Sequence, residues 1–457
     1  DEYSELSAYE RKRLKNITEN AKFFTALKLH EVSARLHQII TKRQSHVTKR
    51  AKPKKAEDEV VRRRSMRLQR AEPLEVVLPE TPAQPKAEEH TEVPAGPLPM
   101  VAEDEVNSKL TEDLLATWMR ISEMKANDAE KHTGDMERYQ ESLNSMVLSE
   151  ENIRKVVKYR VCSMAIHPSE SIILVAAGDK SGQIGLWNVE SEEGAHVFIP
   201  HNDSVNCMHF SPCNSAQLLS LSSESLRCAD VTRAVFDEIY RTEDMSSFDF
   251  LEESASTLVV GHWGGDITIA DRRTPGTSPE LSADIGFKRT RTVHVHPVNK
   301  QYFIAAGSVD VEVYDLRYLK AKGNKAVSSL KGHTKSVASA YFSAGTGSRV
   351  VTVCADDKLS LCPNSNIPMS YPHLSQHGDP PLSRSKQHAI WDPKQENCFV
   401  VGSMARPRRI EVFQDTGNLL HSFYNPDCLG SVCSINVVHP TRNILVGANS
   451  SGRLHVF

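Results

Sequence analysis

The chain has 457 residues, and its 55 Lys and Arg against 58 Asp and Glu leave a formal net charge of only -3. No stretch approaches the roughly 18 to 20 consecutive apolar residues that cross a bilayer, so neither a membrane protein nor a membrane partner is expected. The small net charge hides an asymmetry, because residues 1–70 carry 19 basic and 9 acidic side chains, residues 71–150 carry 6 and 18, and residues 151–457 carry 30 and 31. Such charge separation between segments favours contact with nucleic acid or chromatin.

The first 70 residues contain two different kinds of segment. Residues 1–41 place apolar side chains near three- and four-residue spacing, which predicts helices that are marginal without a packing partner. Residues 42–70 hold twelve basic side chains in twenty-nine positions. The densest run consists of Lys49, Arg50, Lys52, Lys54 and Lys55. This run fits a solvated charged tail, a nuclear-localisation signal or a clamp on the DNA backbone, and the last two readings are compatible.

The segment between the basic run and the repeats changes character near residue 107. Residues 71–107 are acidic and rich in proline, so they bury too little apolar surface to offset chain entropy and are expected to form a disordered linker. Residues 108–150 recover a helical pattern and are expected to pack near the following domain. Trp118 is interpreted as an anchor on that domain or on its partner, not as a cofactor contact.

A repeated pattern governs residues 151–457. An apolar residue followed by a turn recurs at a period of about 45 residues, and each occurrence is followed by two short apolar runs bounded by Gly, Asp or Ser. The seven anchors are Ile166-His167-Pro168, Phe210-Ser211-Pro212, Phe250-Leu251-Glu252, Val295-His296-Pro297, Tyr341-Phe342-Ser343, Trp391-Asp392-Pro393 and Val438-His439-Pro440. The pattern resembles WD40 repeats, which implies an all-β fold: a seven-bladed β-propeller preceded by a partly helical, partly disordered arm.

The last repeat stops at Phe457, in what the pattern predicts to be the third strand of its blade. A propeller protects its sheet edges by closing the ring. Residues 153–157, just ahead of the first repeat, have the β-branched content of a strand. We therefore predict that they supply the missing outer strand of the last blade.

Sorting the predicted loops by face separates two kinds of charge. The loops before first strands and the loops between second and third strands form the top face. Two cation patches fall in these loops, and neither has an acid close to it in sequence. The residues that make this face a candidate DNA-binding surface are Lys288, Arg289, Arg291, Lys335, Arg406, Arg408, Arg409 and Trp263. A ring of cations suits phosphates, although ordinary surface arginines that meet acids across blades would give the same pattern. Trp263 could offer a wedge against a base or simply pack in a blade corner.

The bottom face carries a spacing that recurs in two consecutive blades. Asp271 and Arg273 end one third strand, and Asp315 and Arg317 end the next, each with the spacing Asp-x-Arg. In propellers that resemble receptors of cullin-4 ubiquitin ligases, such a paired box places arginines on the bottom rim to dock on damaged-DNA-binding protein 1. The resemblance therefore implies adaptor docking through these four residues.

The arm adds to this resemblance. The run Tyr9–Phe24, the motif Arg63-Arg64-Ser65-Met66-Arg67 and the propeller together resemble a WD-repeat family related to damage-specific DNA-binding protein 2. The resemblance implies a nuclear protein of the DNA damage response that binds DNA, chromatin and other nuclear proteins as a substrate receptor of the cullin-4 ligase. The relative recognises damage with a Phe-Gln-His hairpin, a triplet that this sequence lacks. General DNA binding is thus implied, whereas specific lesion recognition is not.

No motif in the sequence indicates an enzyme, a cofactor or a metal. The nucleophile-elbow, phosphate-loop and His-Glu-x-x-His patterns do not occur, and the nine cysteines form no Cys-x-x-Cys pair. His294, His296 and His439 are expected to cap turns or pack in the core. Two functions remain open: a ligase substrate receptor that uses both faces, and a chromatin or repair scaffold that reads histones or other proteins through the top without ligase function.

Overall fold

A computed structural model describes residues 18, 93–102, 115–121, 136–191, 194–274, 278–330, 332–355, 358–363, 374–375 and 388–457. The predicted helices of 1–41, apart from residue 18, and the basic segment 42–70 with Lys49, Arg50, Lys52, Lys54 and Lys55 lie outside the described residues. The described residues form seven antiparallel sheets.

Four elements precede the first blade and supply strands or packing surfaces to the sheets. They are β1 (Leu98–Pro99), α1 (115–121), α2 (Met136–Ser145) and β2 (Ile153–Lys155). None of the helices within the described residues is both long enough and apolar enough to span a bilayer.

Each of the first six blades takes its four core strands from consecutive chain, ordered from the centre outwards. Blade 1 contains β3 (Val161–Ile166), β4 (Leu174–Asp179), β5 (Ile184–Asn188) and β6 (His196–Phe198); blade 2 contains β7 (Cys207–Phe210), β8 (Gln217–Leu221), β9 (Ser225–Asp230) and β10 (Val235–Arg241). Blade 3 contains β11 (Met245–Phe250), β12 (Thr257–His262), β13 (Ile267–Asp271) and β14 (Leu281–Ala283); blade 4 contains β15 (Thr292–Val295), β16 (Tyr302–Ala306), β17 (Val311–Asp315) and β18 (Ser328–Leu330), with a 3₁₀ turn at Leu316–Tyr318.

The later blades follow the same order. Blade 5 contains β19 (Val337–Phe342), β20 (Arg349–Cys354), β21 (Lys358–Pro363) and β22 (Leu374–Ser375); blade 6 contains β23 (Ala389–Trp391), β24 (Cys398–Ser403), β25 (Arg409–Gln414) and β26 (Leu419–Tyr424). Blade 7 contains β27 (Ile435–Val438), β28 (Leu445–Ala448) and β29 (Arg453–Val456), with β2 as its fourth strand. The predicted seven-bladed propeller is confirmed.

The second strand of each blade is mostly apolar and mostly buried because neighbouring blades cover both of its faces. All six residues of β4 are buried, and β28 is buried throughout. A strand that is covered on one face would alternate apolar and polar residues, whereas these strands carry apolar residues at several consecutive positions. The repeated apolar runs in the sequence thus correspond to strands that are packed between neighbouring blades.

Polar side chains of the innermost strands join each blade to the next. The Ser163 hydroxyl donates to the Val205 carbonyl at 2.7 Å, and the Val295 amide donates to the Asp249 carboxylate at 2.7 Å. Because a buried polar group must be hydrogen-bonded, these contacts fix the spacing of the blades around the ring.

The ring closes through β2. This strand pairs antiparallel with β29, with Ile153 opposite His455 and Lys155 opposite Arg453. The innermost strands of blades 7 and 1, β27 and β3, lie against each other. The prediction that residues just ahead of the first repeat complete the last blade is therefore confirmed, with the strand itself limited to Ile153–Lys155.

One part of the predicted linker is ordered on blade 2. Strand β1 pairs antiparallel with β10, so that this blade has five strands. The side chain of Arg227 is fully buried there, donates to the carbonyls of Gly96 at 2.7 Å and Pro94 at 2.8 Å, and meets the Glu238 carboxylate at 3.0 Å. The expectation of disorder across 71–107 is wrong for residues 93–102, because a buried guanidinium uses their carbonyls as partners.

The two described helices of the arm pack on the propeller. The Trp118 indole of α1 is buried, with its ring centroid 5.4 Å from that of His167 in blade 1 and 6.4 Å from that of Phe210 in blade 2. Along α2, the Tyr139 hydroxyl donates to the Asp392 carboxylate of blade 6 at 2.9 Å. Trp118 is thus an anchor on the propeller.

His296 and His439 cap turns, as expected, and His294 joins two blades. His439 Nδ1 accepts from the amides of Thr441 at 3.2 Å and Arg442 at 2.9 Å, so its Nε2 donates to the Ser169 carbonyl at 3.0 Å. Burial lowers the pKa of His439 to about 4, which keeps the ring neutral and Nδ1 available as an acceptor. His296 Nδ1 accepts two amides in the same way, and His294 Nδ1 accepts the amide of Phe342 in the next blade.

Closure through β2 predicts a specific loss of stability. A protein that begins at Tyr159 lacks β2 and the buried Val156 and Val157, whereas one that begins at Glu150 keeps them. Burial of each valine contributes roughly 1.5 to 3 kcal/mol, so the shorter protein is expected to melt at a lower temperature and to be cut faster by protease.

A pair of point variants provides the control for this prediction. Val156→Ala, at a side chain that is 2% exposed, is expected to lower the free energy of unfolding by roughly 2 kcal/mol. Val147→Ala, at a position 69% exposed, is expected to change it by less than about 0.5 kcal/mol. Equal stability of the two truncated proteins would show that the ring does not depend on β2.

Candidate functional site

The strand order assigns every loop to one of two faces. Because neighbouring strands of a blade are antiparallel, the loop before the first strand and the loop between the second and third strands emerge together, on the top. The loops after the first and third strands emerge on the bottom. The predicted cations of the 284–291 loop, Lys335 in the loop before β19 and the cations of the 404–408 loop therefore share the top face, and both Asp-x-Arg units lie on the bottom.

Three of the predicted top residues meet at the junction of blades 3 and 4. Trp263 lies in the turn between β12 and β13, and Arg289 and Arg291 lie in the loop before β15. The guanidinium carbon of each arginine is 5.8 Å from the centroid of the Trp263 ring, within the range of a cation–π contact. We call these three residues the Trp263 cluster. Lys288 is exposed beside it.

The backbone under the Trp263 cluster is tightly packed. Gly265 has a φ of +103°, and a Cβ there would lie 2.0 Å from the carbonyl oxygen of Phe287. A Cβ on Gly307 would lie 2.5 Å from the amide nitrogen of Arg291. The Thr290 hydroxyl donates to the Gly265 carbonyl at 3.0 Å. Glycine at both positions thus lets the loop with the two arginines seat directly on neighbouring backbone.

The second cation patch, on blade 6, is partly neutralised. Arg406 is exposed, and the half-buried Arg408 donates to the carbonyl of Met404. Arg409 Nε lies 2.6 Å from the Glu411 carboxylate, whose side chain is almost fully buried. The expectation that this patch has no acid close in sequence is wrong for Arg409, because residues two apart in a strand lie on the same face. Arg406 and Arg408 therefore remain the stronger candidates.

The remaining top-face cation stands apart from both groups. Lys335 lies in the loop before β19 and is exposed. It belongs to blade 5, between the Trp263 cluster at the junction of blades 3 and 4 and the patch on blade 6. The predicted residues thus share a face without forming one contiguous contact network within the described part of the chain.

On the bottom face the two Asp-x-Arg units have the same geometry. Asp271 accepts the backbone amide of Arg273 at 2.8 Å and the guanidinium at 2.9 and 2.5 Å. Asp315 accepts the amide of Arg317 at 3.0 Å and the guanidinium at 3.0 and 2.6 Å. Hydrogen bonds from the Arg273 side chain lower the pKa of Asp271 to about 2, and those from Arg317 lower the pKa of Asp315. Both carboxylates are therefore charged at neutral pH.

Each aspartate orients an arginine that remains open to solvent. The side chains of Arg273 and Arg317 are 70% and 57% exposed. Tyr318, 71% exposed, lies beside the second arginine, with its ring centroid 5.8 Å from the Arg317 guanidinium carbon. Two oriented cations and an aromatic ring thus define a rim on the bottom of blades 3 and 4.

Sequence reasoning missed a related pair on blade 2. Arg233 Nε lies 3.2 Å from the Asp230 carboxylate, and the Arg233 side chain is 55% exposed. The spacing there is Asp-x-x-Arg, one residue longer than in blades 3 and 4, and the guanidinium also contacts Asp237. A search for an acid at the end of every third strand, followed by an arginine at either spacing, would have found it.

Comparison with known proteins places this fold in a family. The chain is 50% identical over 469 residues to WD repeat-containing protein 76 of Rhinolophus ferrumequinum, an alignment that covers 100% of this chain and 74% of the relative. The corresponding protein of Xenopus laevis is 49% identical, with 100% of this chain and 81% of the relative covered. The chain belongs to the WD repeat-containing protein 76 family.

A more distant similarity connects this family to another group of proteins. DNA damage-binding protein CMR1 of Phaeosphaeria nodorum is 25% identical over 347 residues, which covers 67% of this chain and 66% of the relative. A protein of the same name from Scheffersomyces stipitis is 26% identical over 344 residues, covering 66% of this chain and 65% of the relative. No family model matches the chain. This member of the WD repeat-containing protein 76 family is therefore a WD-repeat protein related to proteins that are named for binding damaged DNA.

Proposed function

We propose that this protein is a nuclear DNA- and chromatin-binding substrate receptor of a cullin-4 E3 ubiquitin ligase that acts in the DNA damage response. The top face binds DNA, and the bottom rim of blades 3 and 4 docks on damaged-DNA-binding protein 1. The observation that carries the proposal is the separation of two charge groups: Arg289 and Arg291, which form no ion pair within the described residues, lie on the top face, and the carboxylate-held Arg273 and Arg317 lie on the bottom. The recruited ligase performs ubiquitin transfer, and this chain positions the substrate.

The DNA part of the proposal rests on the chemistry of the top face. Arginine guanidinium groups bind phosphates through charge and through paired N–H donors. Contacts to phosphates carry affinity without reading the base, so the proposed binding is general and not specific for one lesion. The names of the distant relatives support a DNA-related role. The basic segment with Lys49, Arg50, Lys52, Lys54 and Lys55 would supply nuclear import, further backbone contacts or both.

The adaptor part rests on pre-orientation. Each bottom-rim arginine already makes its hydrogen bonds to an aspartate of its own blade, so docking does not have to fix two long side chains. The exposed Tyr318 adds an aromatic contact next to Arg317, and Tyr and Arg are among the residues that contribute most at protein interfaces. The rim therefore has the composition of a docking site.

Charge reversal on the top face is expected to weaken DNA binding. A protein with Arg406→Glu and Arg408→Glu should bind duplex DNA more weakly, and its plot of log affinity against log salt should flatten by roughly 0.9 for each lost phosphate contact. Arg409→Glu alone should have a smaller effect, because Glu411 already neutralises Arg409. Fluorescence anisotropy with a labelled duplex at several salt concentrations measures both quantities.

The matched control reverses two exposed lysines on the bottom face. Lys320→Glu with Lys322→Glu changes the net charge by the same amount, in the loop between β17 and β18. We expect this variant to keep the wild-type slope. An unchanged slope in the Arg406 and Arg408 variant would remove the blade 6 patch from the DNA-binding surface and leave the Trp263 cluster and the 42–70 segment as the candidates.

Removal of the two bottom-rim arginines is expected to abolish adaptor docking. Arg273→Ala combined with Arg317→Ala should reduce co-purification of damaged-DNA-binding protein 1 at least about tenfold, because two oriented hot-spot side chains are lost. Arg233→Ala is the matched control, since it removes an aspartate-held arginine from the neighbouring blade on the same face. Undiminished docking by the double variant would contradict the proposal and favour a scaffold that reads protein partners through the top face.

A further inference from the structure

The Trp263 cluster places two arginines against one indole ring and leaves a buried donor of Arg291 without an acceptor. Two guanidinium groups lie at the same distance from one indole ring, and the Nε of Arg291 is buried without a hydrogen-bond partner. No ion pair to a carboxylate involves Arg289 or Arg291 within the described residues. Two positive charges therefore contact the same indole ring, and one donor of the half-buried member is unused.

This arrangement is costly unless an anion completes it. Burial lowers the pKa of Arg291, and the charge of Arg289 lowers it further. A buried donor without an acceptor costs free energy, and so do adjacent like charges. An anion that accepts hydrogen bonds from both arginines would relieve both costs at once. Phosphate suits the site because its several oxygens can accept from two planar forks simultaneously.

The contacts to Trp263 also decide whether its ring is free to stack on a nucleobase. Each arginine already makes a cation–π contact with the ring, so a nucleobase that stacked there would have to displace a guanidinium group. The close approach of this loop to Gly265 and Gly307 leaves its backbone little freedom to rearrange. The ring is therefore placed to hold the arginines, not to insert between bases.

We propose that the Trp263 cluster is a clamp for a single phosphate of the DNA backbone, in which Arg289 and Arg291 bind the phosphate and Trp263 acts as a positioning residue. The inference rests on the proposed binding of DNA to the top face and adds the ligand group, the residues and the role of the indole. It assigns no base recognition to the aromatic side chain.

The decisive variant is Trp263→Leu in the full-length chain, because it keeps both positive charges and removes only their shared platform. We expect duplex affinity to fall about fivefold, as loss of two cation–π contacts implies, and the salt slope to flatten by up to roughly 0.9. Tyr318→Leu is the matched control, since it removes an aromatic partner of Arg317 at the same 5.8 Å on the opposite face. Circular dichroism and melting temperature verify that both variants are folded.

A second measurement reports on the phosphate directly. In a short duplex scanned with neutral methylphosphonate linkages, wild-type protein should lose affinity at the clamped phosphate, and Trp263→Leu should lose much less at the same position. A duplex series of different sequences should give the same Trp263→Leu effect, because the proposed contact does not read the base.

Several results would overturn the clamp. If Trp263→Leu binds DNA like wild type while Arg289→Ala with Arg291→Ala binds weakly, the arginines act without the ring. If neither variant changes DNA affinity while charge reversal at Arg406 does, the top face binds DNA elsewhere and the proposed function survives. If Trp263→Leu lowers the affinity for a phosphorylated peptide more than the affinity for duplex DNA, the cluster binds a protein ligand instead.

Discussion

Three residues from the start of the propeller, Ile153–Lys155, complete the sheet whose other strands come from the end of the chain. Without this pairing, blade 7 would expose the backbone groups of β29, and the hydrogen bonds of β2 would no longer join the two ends of the propeller. Closure supports the other blades, because neighbouring blades hold one another through side-by-side packing, backbone hydrogen bonds and polar side chains such as Ser163 and Asp249. The same pairing holds the residues that follow α2 against the propeller.

Closure also determines where chemistry can be placed. In a ring of antiparallel blades, loops alternate strictly between the two faces, and residues at equivalent positions of consecutive blades lie side by side. This is why two Asp-x-Arg units in blades 3 and 4 form one rim, with both arginines held by hydrogen bonds of nearly equal length. It is also why the loops with Arg289 and Arg406 open on the opposite face. The proposed DNA-binding surface and the proposed adaptor-docking surface therefore do not overlap.

Local pattern was sufficient to predict the blades, the closing strand and the Asp-x-Arg units, because each depends on residues close in sequence or on a regular period. What it could not reveal were contacts across the fold. The order of residues 93–102 depends on Arg227, more than a hundred residues away in sequence. Nothing in a proline-rich segment indicates that its carbonyls accept hydrogen bonds from a buried guanidinium group. The Trp263 cluster likewise joins two loops that the sequence separates. Arg409 was misjudged for a simpler reason, since its partner Glu411 lies within its own strand.

The central claim is that the two faces serve two partners at the same time. Its most direct test is mass photometry of the wild-type protein with saturating duplex DNA, titrated with purified damaged-DNA-binding protein 1. The account predicts a ternary species and an adaptor affinity that DNA changes by less than about twofold, because the two surfaces are separate and screened from each other at physiological salt. Displacement of DNA by the adaptor, or binding of either partner only in the absence of the other, would contradict it.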